Sequence, residues 1–197
     1  KKKIMPNVID VYDNLLEPEI AEQISQEMKT LMWSFEHYSD KTKENIHWNI
    51  PSSHCGKSIE EMKQGRYSDI LSPIWNAIVD KQVAYKYRVT DFARCYMNAH
   101  TFGIEPHKHK DDGDFTMLYY PRMDWKLEWG GGTSVYDEMG EEIDRHVPYK
   151  GNRLLVFDAY LPHQAMTVSR QCYQLRSVIV FKCHVQSGHR QRLDFYS

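Results

Sequence analysis

The stretch His107-Lys108-His109-Lys110-Asp111-Asp112 decides how the rest of the chain is interpreted. It contains a His-x-Asp pair, His109 and Asp111, and residues two apart in a strand lie on the same face. A further histidine, His163, follows the apolar run 154–157. Two imidazoles and one carboxylate form a ligand set that leaves coordination positions open, which suits iron(II). The sequence therefore predicts a metal site made by His109, Asp111 and His163.

An arginine downstream points to a second ligand in the same site. Arg176 lies 13 residues after His163 and begins the apolar run 177–181. An arginine directed into a sheet interior needs an anion, because an unpaired buried charge costs several kcal/mol. Its planar guanidinium suits a carboxylate. We expect a dicarboxylate that chelates the metal at one end and contacts Arg176 at the other; Arg170, the alternative arginine, is interpreted as a turn residue.

Composition is that of an ordinary globular protein. The 197 residues are 41% hydrophobic and 26% charged, which predicts one domain over 1–197 with a sizeable core. A net charge of -2 gives no broad field for nucleic acid, and we expect neither a nucleic-acid nor a membrane partner. The sequence has no apolar run of about 20 residues and no signal-peptide core, and its four cysteines form no Cys-x-x-Cys pair. These features predict a soluble, cytoplasmic protein. The oligomeric state stays open.

Hydrophobic periodicity predicts a mainly β protein with supporting α-helices. A strand is expected over Ile4–Tyr12, and an irregular segment over 35–66. Two amphipathic helices are expected, one beginning near Pro18 and one over 68–80 with Pro73 in its first turn. Further strands are expected over 87–97, 115–120, 133–136, 153–157 and 174–183. Helices followed by closely spaced strands predict a jelly roll with the N-terminal helices packed on one sheet.

A set of motifs in one order carries a resemblance to a known family. These are His109-x-Asp111, Phe115–Tyr120, Gly131-Gly132-Thr133, Gly151–Phe157, His163 and Arg176. Together they resemble the catalytic domain of Fe(II)/2-oxoglutarate-dependent dioxygenases, in the prolyl-4-hydroxylase-like branch, most densely over 96–182. The resemblance implies a double-stranded β-helix, with residues 85–184 as the catalytic core and 1–84 as N-terminal support.

The resemblance also implies roles for individual residues. Iron would be held by His109, Asp111 and His163, and 2-oxoglutarate by Arg176 with Tyr120 and Tyr96. Many relatives carry Ser or Thr where this chain has Val178. Alternation places Thr116 and Leu118 on the pocket face with Tyr120, and the segments 35–66 and 100–106, with Trp125 and Trp129, are candidate lids.

The implied reaction is hydroxylation of a C–H bond, coupled to conversion of 2-oxoglutarate and O2 to succinate and CO2, with ascorbate as an accessory reductant. A peptide, a protein or a small molecule would be the substrate, and peptidyl proline is the first candidate by likeness alone.

Two other classes of protein compete with this interpretation. His107-x-His109 also opens the metal site of a cupin, which would be an isomerase or a sugar-binding barrel without 2-oxoglutarate chemistry. Against it, no Pro-x-Gly precedes His163 and no Glu follows His109 at short spacing. The third class is a jelly roll that only binds a partner, and the intact triad with Arg176 argues against it.

Overall fold

The computed structural model describes residues 7–38 and 46–185. Within them the strands are β1 (Ile9–Asp13), β2 (Ser34–Tyr38), β3 (Ile46–Ile50), β4 (Val89–His100), β5 (Phe115–Tyr120), β6 (Thr133–Tyr136), β7 (Ile143–Val147), β8 (Arg153–Asp158), β9 (His163–Ala165) and β10 (Arg176–Val185). The helices are α1 (Pro18–Met28), α2 (Ser52–Cys55), α3 (Ile59–Gln64), α4 (Ser68–Asp80) and α5 (Val83–Lys86).

Two antiparallel sheets pack face to face. The main sheet has seven strands in the order β1-β8-β5-β10-β4-β3-β2, and the minor sheet has three in the order β7-β6-β9. Apolar side chains from both sheets fill the space between them, namely Leu118, Tyr120, Val135, Val147, Leu155, Phe157, Val178 and Val180. This arrangement confirms the mainly β, jelly-roll prediction.

Strand alternation separates the two faces of the main sheet. On β10, Ile179 belongs to the core beneath the helices, whereas Val178 and Val180 face the minor sheet. Because side chains of a strand alternate between faces, Arg176 and Lys182 share the face of the two valines. Both ends of β10 therefore present a cationic side chain to the space between the sheets.

Helices α1 and α4 cover the other face of the main sheet. Leu71, Ile74 and Ile78 of α4 recur at helical spacing and are fully buried, each stabilising the fold by about 1.5–3 kcal/mol. The predicted place of Pro73 is wrong. The helix begins at Ser68, so Pro73 is inside it, beyond the first turn, where its ring removes one backbone donor.

The segment 35–66 is more regular than predicted. Strands β2 and β3 pair antiparallel, β3 continues onto β4, and α2 and α3 follow. A register shift between Phe35 and His37 breaks the alternation that would have revealed the hairpin. Residues 39–45 lie outside the described part, as do residues 1–6, so the predicted first strand is seen as Ile9–Asp13.

Strands from the N-terminal segment complete the main sheet. β1 pairs with β8 along its whole length, and β3 pairs with β4. The predicted N-terminal support, 1–84, and the predicted catalytic core, 85–184, therefore both contribute strands to one sheet. The division between them at residue 84 stays a prediction. In the part of the chain that the structure describes, no helix is long and apolar enough to cross a membrane.

Candidate active site

Backbone hydrogen bonds bring the predicted metal ligands together. His109 lies in the connection between β4 and β5 and forms an isolated bridge with His163, the first residue of β9. The two residues exchange N–H···O bonds of 3.0 and 2.9 Å, and the N–H of Asp111 donates to the carbonyl of Ala159 at 2.9 Å. The main chain therefore fixes all three residues before any ligand binds.

The three side chains converge on one point. Oδ1 of Asp111 lies 3.6 Å from Nε2 of His109, and Oδ2 lies 3.2 Å from Nε2 of His163. One ligand atom from each residue lies within 4.8 Å of the other two. Nitrogen and oxygen ligands sit about 2.0–2.2 Å from a transition-metal ion, so a small inward movement of these atoms gives a coordination face. The structure brings together the ligand set that the sequence predicts.

Each imidazole is oriented by a backbone carbonyl. Nδ1 of His109 donates to the carbonyl of His107 at 3.1 Å, and Nδ1 of His163 donates to that of Leu161 at 3.0 Å. This tautomer leaves both Nε2 lone pairs facing Asp111. Burial lowers the pKa of His163 to about 4. Burial, and then the neighbouring His163 imidazole, lower the pKa of His109 to about 3. Both imidazoles are therefore neutral near pH 7, as metal ligands must be.

Two further side chains hold the Asp111 carboxylate. The hydroxyl of Thr116 donates to Oδ2 at 2.7 Å, and Nζ of Lys182 contacts the same oxygen. Lys182 is only 2% exposed. Burial, and then the positive charge of Arg94, lower the pKa of Lys182 well below its ordinary value. Asp111 is thus held in place by groups outside the triad.

Arg176, the residue predicted to bind an anion, is buried in the same site. It is 2% exposed, its Nε donates to the carbonyl of Gly131 at 2.7 Å, and its Nη2 donates to Oγ1 of Thr133 at 3.2 Å. A guanidinium has about five N–H donors, so these two bonds leave donors for a ligand. The alternative, Arg170, lies exposed in a turn.

The two predicted tyrosines occupy different positions relative to Arg176. The hydroxyl of Tyr120 donates to Oγ1 of Thr133 at 2.7 Å, so Tyr120 supports the threonine that also accepts from the guanidinium. Tyr96 lines the cavity and pairs with Val180, and its ring centroid lies 5.8 Å from Nζ of Lys182. Tyr120 therefore lies at the Arg176 end, and Tyr96 lies nearer the Lys182 end. Direct contact of either with 2-oxoglutarate stays a prediction.

A cavity of about 430 Å³ connects these groups. Its lining includes the triad, Arg176, Lys182 and the two residues predicted by alternation, Thr116 and Leu118. Both predicted lid segments contribute to the lining. Their lining residues are His37, Tyr38, His47, Asn49, Pro51, Ser52, His100, Ile104 and Pro106. Trp125 and Trp129 instead pack against each other, with ring centroids 5.2 Å apart. The prediction that these tryptophans form the lid finds no support in this packing.

Comparison with known families agrees with this geometry. The family model of the 2OG-Fe(II) oxygenase superfamily matches residues 86–184, just over half of the chain. The chain belongs to this superfamily. It is an Fe(II)/2-oxoglutarate-dependent dioxygenase. A search of curated proteins finds no significant match.

Solved structures of oxygenases share the fold. A prolyl hydroxylase from Trichoplax adhaerens, in complex with a hypoxia-inducible-factor peptide, has a TM-score of 0.64 at 15% identity, covering 96% of this chain and 87% of its own. A Pseudomonas putida prolyl-4-hydroxylase has a TM-score of 0.63 at 14% identity, covering 91% and 93%. HygX from Streptomyces hygroscopicus, solved with nickel and 2-oxoglutarate, has a TM-score of 0.59 at 10% identity, covering 91% and 83%. At these identities the likeness concerns the fold.

The residues present fit the metal and the cosubstrate that the superfamily implies. Two neutral imidazoles and a carboxylate match the donor set for Fe(II), and a buried guanidinium with uncommitted donors suits a dicarboxylate. The cupin alternative is wrong, because the chain belongs to a different family. It would also have needed His107, which is outside the group of converging ligand atoms.

Sequence analysis missed two residues of the site. Thr133 was noted only as part of a motif, yet it joins Tyr120 to Arg176. Lys182 was not predicted; a lysine near the end of an apolar strand is also typical of a solvent-exposed strand end. Strand alternation could have found Lys182, because counting along β10 in steps of two from Arg176 reaches Lys182 on the same face of the strand.

Proposed function

We propose that this dioxygenase hydroxylates a C–H bond of an organic substrate while converting 2-oxoglutarate and O2 to succinate and CO2. The observation that carries the proposal is the convergence of His109, Asp111 and His163 at one place in a cavity that also contains the buried Arg176. A metal face and an anion-binding group in one enclosed site are what a chelating dicarboxylate requires.

His109, Asp111 and His163 would hold Fe(II), and Arg176 would hold the distal carboxylate of 2-oxoglutarate. Bound Fe(II), with 2-oxoglutarate and O2, supplies the oxidising chemistry. The protein supplies position. The carbonyls of His107 and Leu161 fix the two imidazoles, and the bond from Arg176 to Gly131 fixes the guanidinium.

The main sheet also excludes water from one side of the site. Leu118, Val178 and Val180 line the cavity between the anion-binding end and the metal end. Val178 stands where many relatives have a hydroxyl residue, so the carboxylate would be bound by Arg176, which the Thr133–Tyr120 pair orients, without that hydroxyl. An apolar wall strengthens those charged contacts, because it lowers the local dielectric constant.

The substrate is a peptide, a protein or a small molecule, and peptidyl proline is the first candidate. The support is the fold shared with two prolyl hydroxylases, one of which was solved with a peptide, while HygX was also solved with hygromycin B. The use of ascorbate and the cytoplasmic location stay predictions.

Succinate formation tests the proposed function. Purified protein is incubated with Fe(II), 2-oxoglutarate, O2 and ascorbate, alone and with proline-containing peptides, and succinate is measured by mass spectrometry over hours. We expect succinate from the wild type and none above background from Asp111→Ala, which lacks a metal ligand. Oxygen from labelled O2, located on the proline ring of a peptide product, would identify proline as the substrate. No succinate from folded, iron-loaded wild type under any condition would contradict the proposal.

A further inference from the structure

Two asparagines on neighbouring strands form a side-chain pair in the cavity. Asn49 of β3 and Asn98 of β4 lie directly opposite each other in the strand pairing, and both line the cavity. Nδ2 of Asn49 donates to Oδ1 of Asn98 at 2.7 Å and to the carbonyl of Met97 at 3.2 Å. Asn49 is only 6% exposed. The pair is therefore a fixed part of the cavity lining, and it is separate from the groups assigned to the metal and to 2-oxoglutarate.

The contacts of Asn49 decide how both side-chain amides are oriented. A carbonyl can only accept a hydrogen bond, so the Asn49 atom that faces Met97 is the amide nitrogen. That nitrogen can only donate, so the Asn98 atom that faces it is the amide oxygen. Both hydrogens of the Asn49 amide are then used. The atoms that remain are an acceptor, Oδ1 of Asn49, and a donor, Nδ2 of Asn98.

The remaining acceptor and donor open into the cavity. Neither atom has a hydrogen-bond partner among residues 7–38 and 46–185, which the structure describes. Neither atom is sealed from solvent, so each is accessible from the cavity that its residue lines. A ligand that enters this part of the cavity displaces water from both atoms. It must offer them a donor and an acceptor in return, because polar groups left unpaired in a closed complex weaken binding.

The pair lies beside the proposed position of 2-oxoglutarate. Asn98 pairs with Val178 of β10, two residues from Arg176, so Asn98 is one strand spacing of about 4.8 Å from that strand. Asn49 is one strand further, at about 10 Å. The cavity continues beyond the pair to His37 and Tyr38 of β2. A ligand bound to the asparagines would therefore lie alongside the cosubstrate, on the β2–β3 side of the cavity.

An extended peptide offers the complementary donor and acceptor. In a strand, the N–H and the C=O of one residue point to the same edge, which is why directly opposite residues exchange two hydrogen bonds. Asn49 and Asn98 are directly opposite each other, so their remaining acceptor and donor are neighbours in the same way. The surrounding charge also suits a neutral main chain. Arg94, the arginine that β4 contributes to the lining, is neutralised by an ion pair with Asp112 at 2.7 and 2.6 Å.

We propose that Asn49 and Asn98 bind the main chain of a peptide substrate. Nδ2 of Asn98 donates to the carbonyl of one extended residue, and Oδ1 of Asn49 accepts the N–H of the same residue. This inference rests on the proposed function and narrows its substrate class to peptides and proteins. The bound residue needs an N–H, so where the hydroxylated residue is proline, the asparagines bind one of its neighbours. Main-chain groups are alike in all other residues, so the pair recognises an extended backbone and not a particular side chain.

The test compares peptides with their backbone esters on the loaded, anaerobic protein. Wild type, Asn49→Ala, Asn98→Asp and Asn76→Asp are given Fe(II) and saturating 2-oxoglutarate without oxygen. The visible band of the chelated keto acid is titrated with end-blocked pentapeptides Ala-Ala-X-Ala-Ala, in which X is each amino acid in turn. Each peptide that shifts the band is then remade with one amide at a time replaced by an ester, which removes one N–H. Asn76 lies exposed on α4, so Asn76→Asp is the matched control for Asn98→Asp.

We expect at least one peptide to shift the band of wild type and of Asn76→Asp, and an ester at one position to weaken its binding about tenfold. In Asn49→Ala that ester should bind as tightly as the peptide, because the acceptor of the N–H is gone. Asn98→Asp keeps the oxygen that accepts from Asn49 but loses its donor. Its affinity for the peptide should therefore fall at least about tenfold, while the 2-oxoglutarate band remains.

Three results would overturn the proposal. The first is that no peptide shifts the band of wild type, or that no ester weakens binding, which decides the question even if a variant does not fold. The second is an ester effect that persists in Asn49→Ala, or unchanged peptide affinity in Asn98→Asp. The third is loss of the 2-oxoglutarate band in folded Asn49→Ala, which would assign the pair to the cosubstrate. A wild type that forms no band with 2-oxoglutarate refutes the proposed function instead, which the other results leave intact.

Discussion

Replacing Arg176 by Met should weaken 2-oxoglutarate binding strongly while leaving the metal site intact. Arg176 is 2% exposed and its guanidinium is fixed by bonds to Gly131 and Thr133, so it would meet the cosubstrate carboxylate in a dry, rigid setting. A hydrogen bond to a charged group contributes about 1.5–3 kcal/mol, and a fork-shaped pair of them about 3–6 kcal/mol. At about 1.4 kcal/mol per factor of ten, the dissociation constant should rise by roughly 10² to 10⁴.

The assay for Arg176→Met is anaerobic titration of the iron-loaded variant with 2-oxoglutarate, beside a metal-binding measurement. The matched control is Arg170→Met, which removes the same charge from an exposed turn and should bind 2-oxoglutarate like wild type. Iron affinity should stay within about threefold in both variants, because the triad lies at the other end of the site. Equal weakening by both variants, or weakening by Arg170→Met alone, would refute the assignment of Arg176.

Other substitutions test separate parts of the account. His163→Ala should weaken iron binding more than about 100-fold. His107→Ala should leave iron binding unchanged, because His107 lies outside the converging group of ligand atoms. Similar losses of iron affinity in both variants, measured by metal titration, would indicate that His107 is a ligand. Thr133→Val should raise the KM for 2-oxoglutarate about tenfold without changing iron affinity, because the Arg176 guanidinium loses its hydrogen bond to Oγ1 of Thr133. An unchanged KM would show that this hydrogen bond does not orient the guanidinium. Asp13→Asn should lower the free energy of unfolding by less than about 1 kcal/mol, since Asp13 is 36% exposed. Arg153 lowers the Asp13 pKa from 3.8 to about 2, so this stabilisation is present above pH 4 and is lost as pH falls toward 2. Chemical denaturation measures the free energy of unfolding of wild type and Asp13→Asn across this pH range. A difference between them that does not shrink toward pH 2 would contradict the prediction.

The metal ligands were predictable because their chemistry is local in sequence. His109 and Asp111 are two residues apart, and the apolar run of β8 leads the chain to His163. The strands that form the core were predictable for a related reason. β5 and β10 each contain an apolar run with both faces buried, one against helices and one against the minor sheet.

The remaining structure depends on pairing that single strands do not reveal. β7 is mostly exposed and polar, and β9 has only three residues, so each is a strand because β6 lies beside it. The β2–β3 hairpin was hidden by a register shift for the same reason. Trp125 and Trp129 were candidate lid residues, and in the fold they pack against each other. Lys182 shares a strand face with Arg176 and lines the cavity, so a polar residue on an otherwise apolar strand face belonged to the site rather than to an exposed strand end.

The most direct test of the central claim is an anaerobic absorption spectrum. Wild-type protein loaded with Fe(II) should gain a weak visible charge-transfer band when 2-oxoglutarate is added, because the triad would leave positions open for the chelating keto acid and Arg176 would hold its other end. Asp111→Ala should give no band. Wild type that binds iron normally but gains no band with 2-oxoglutarate would contradict the account.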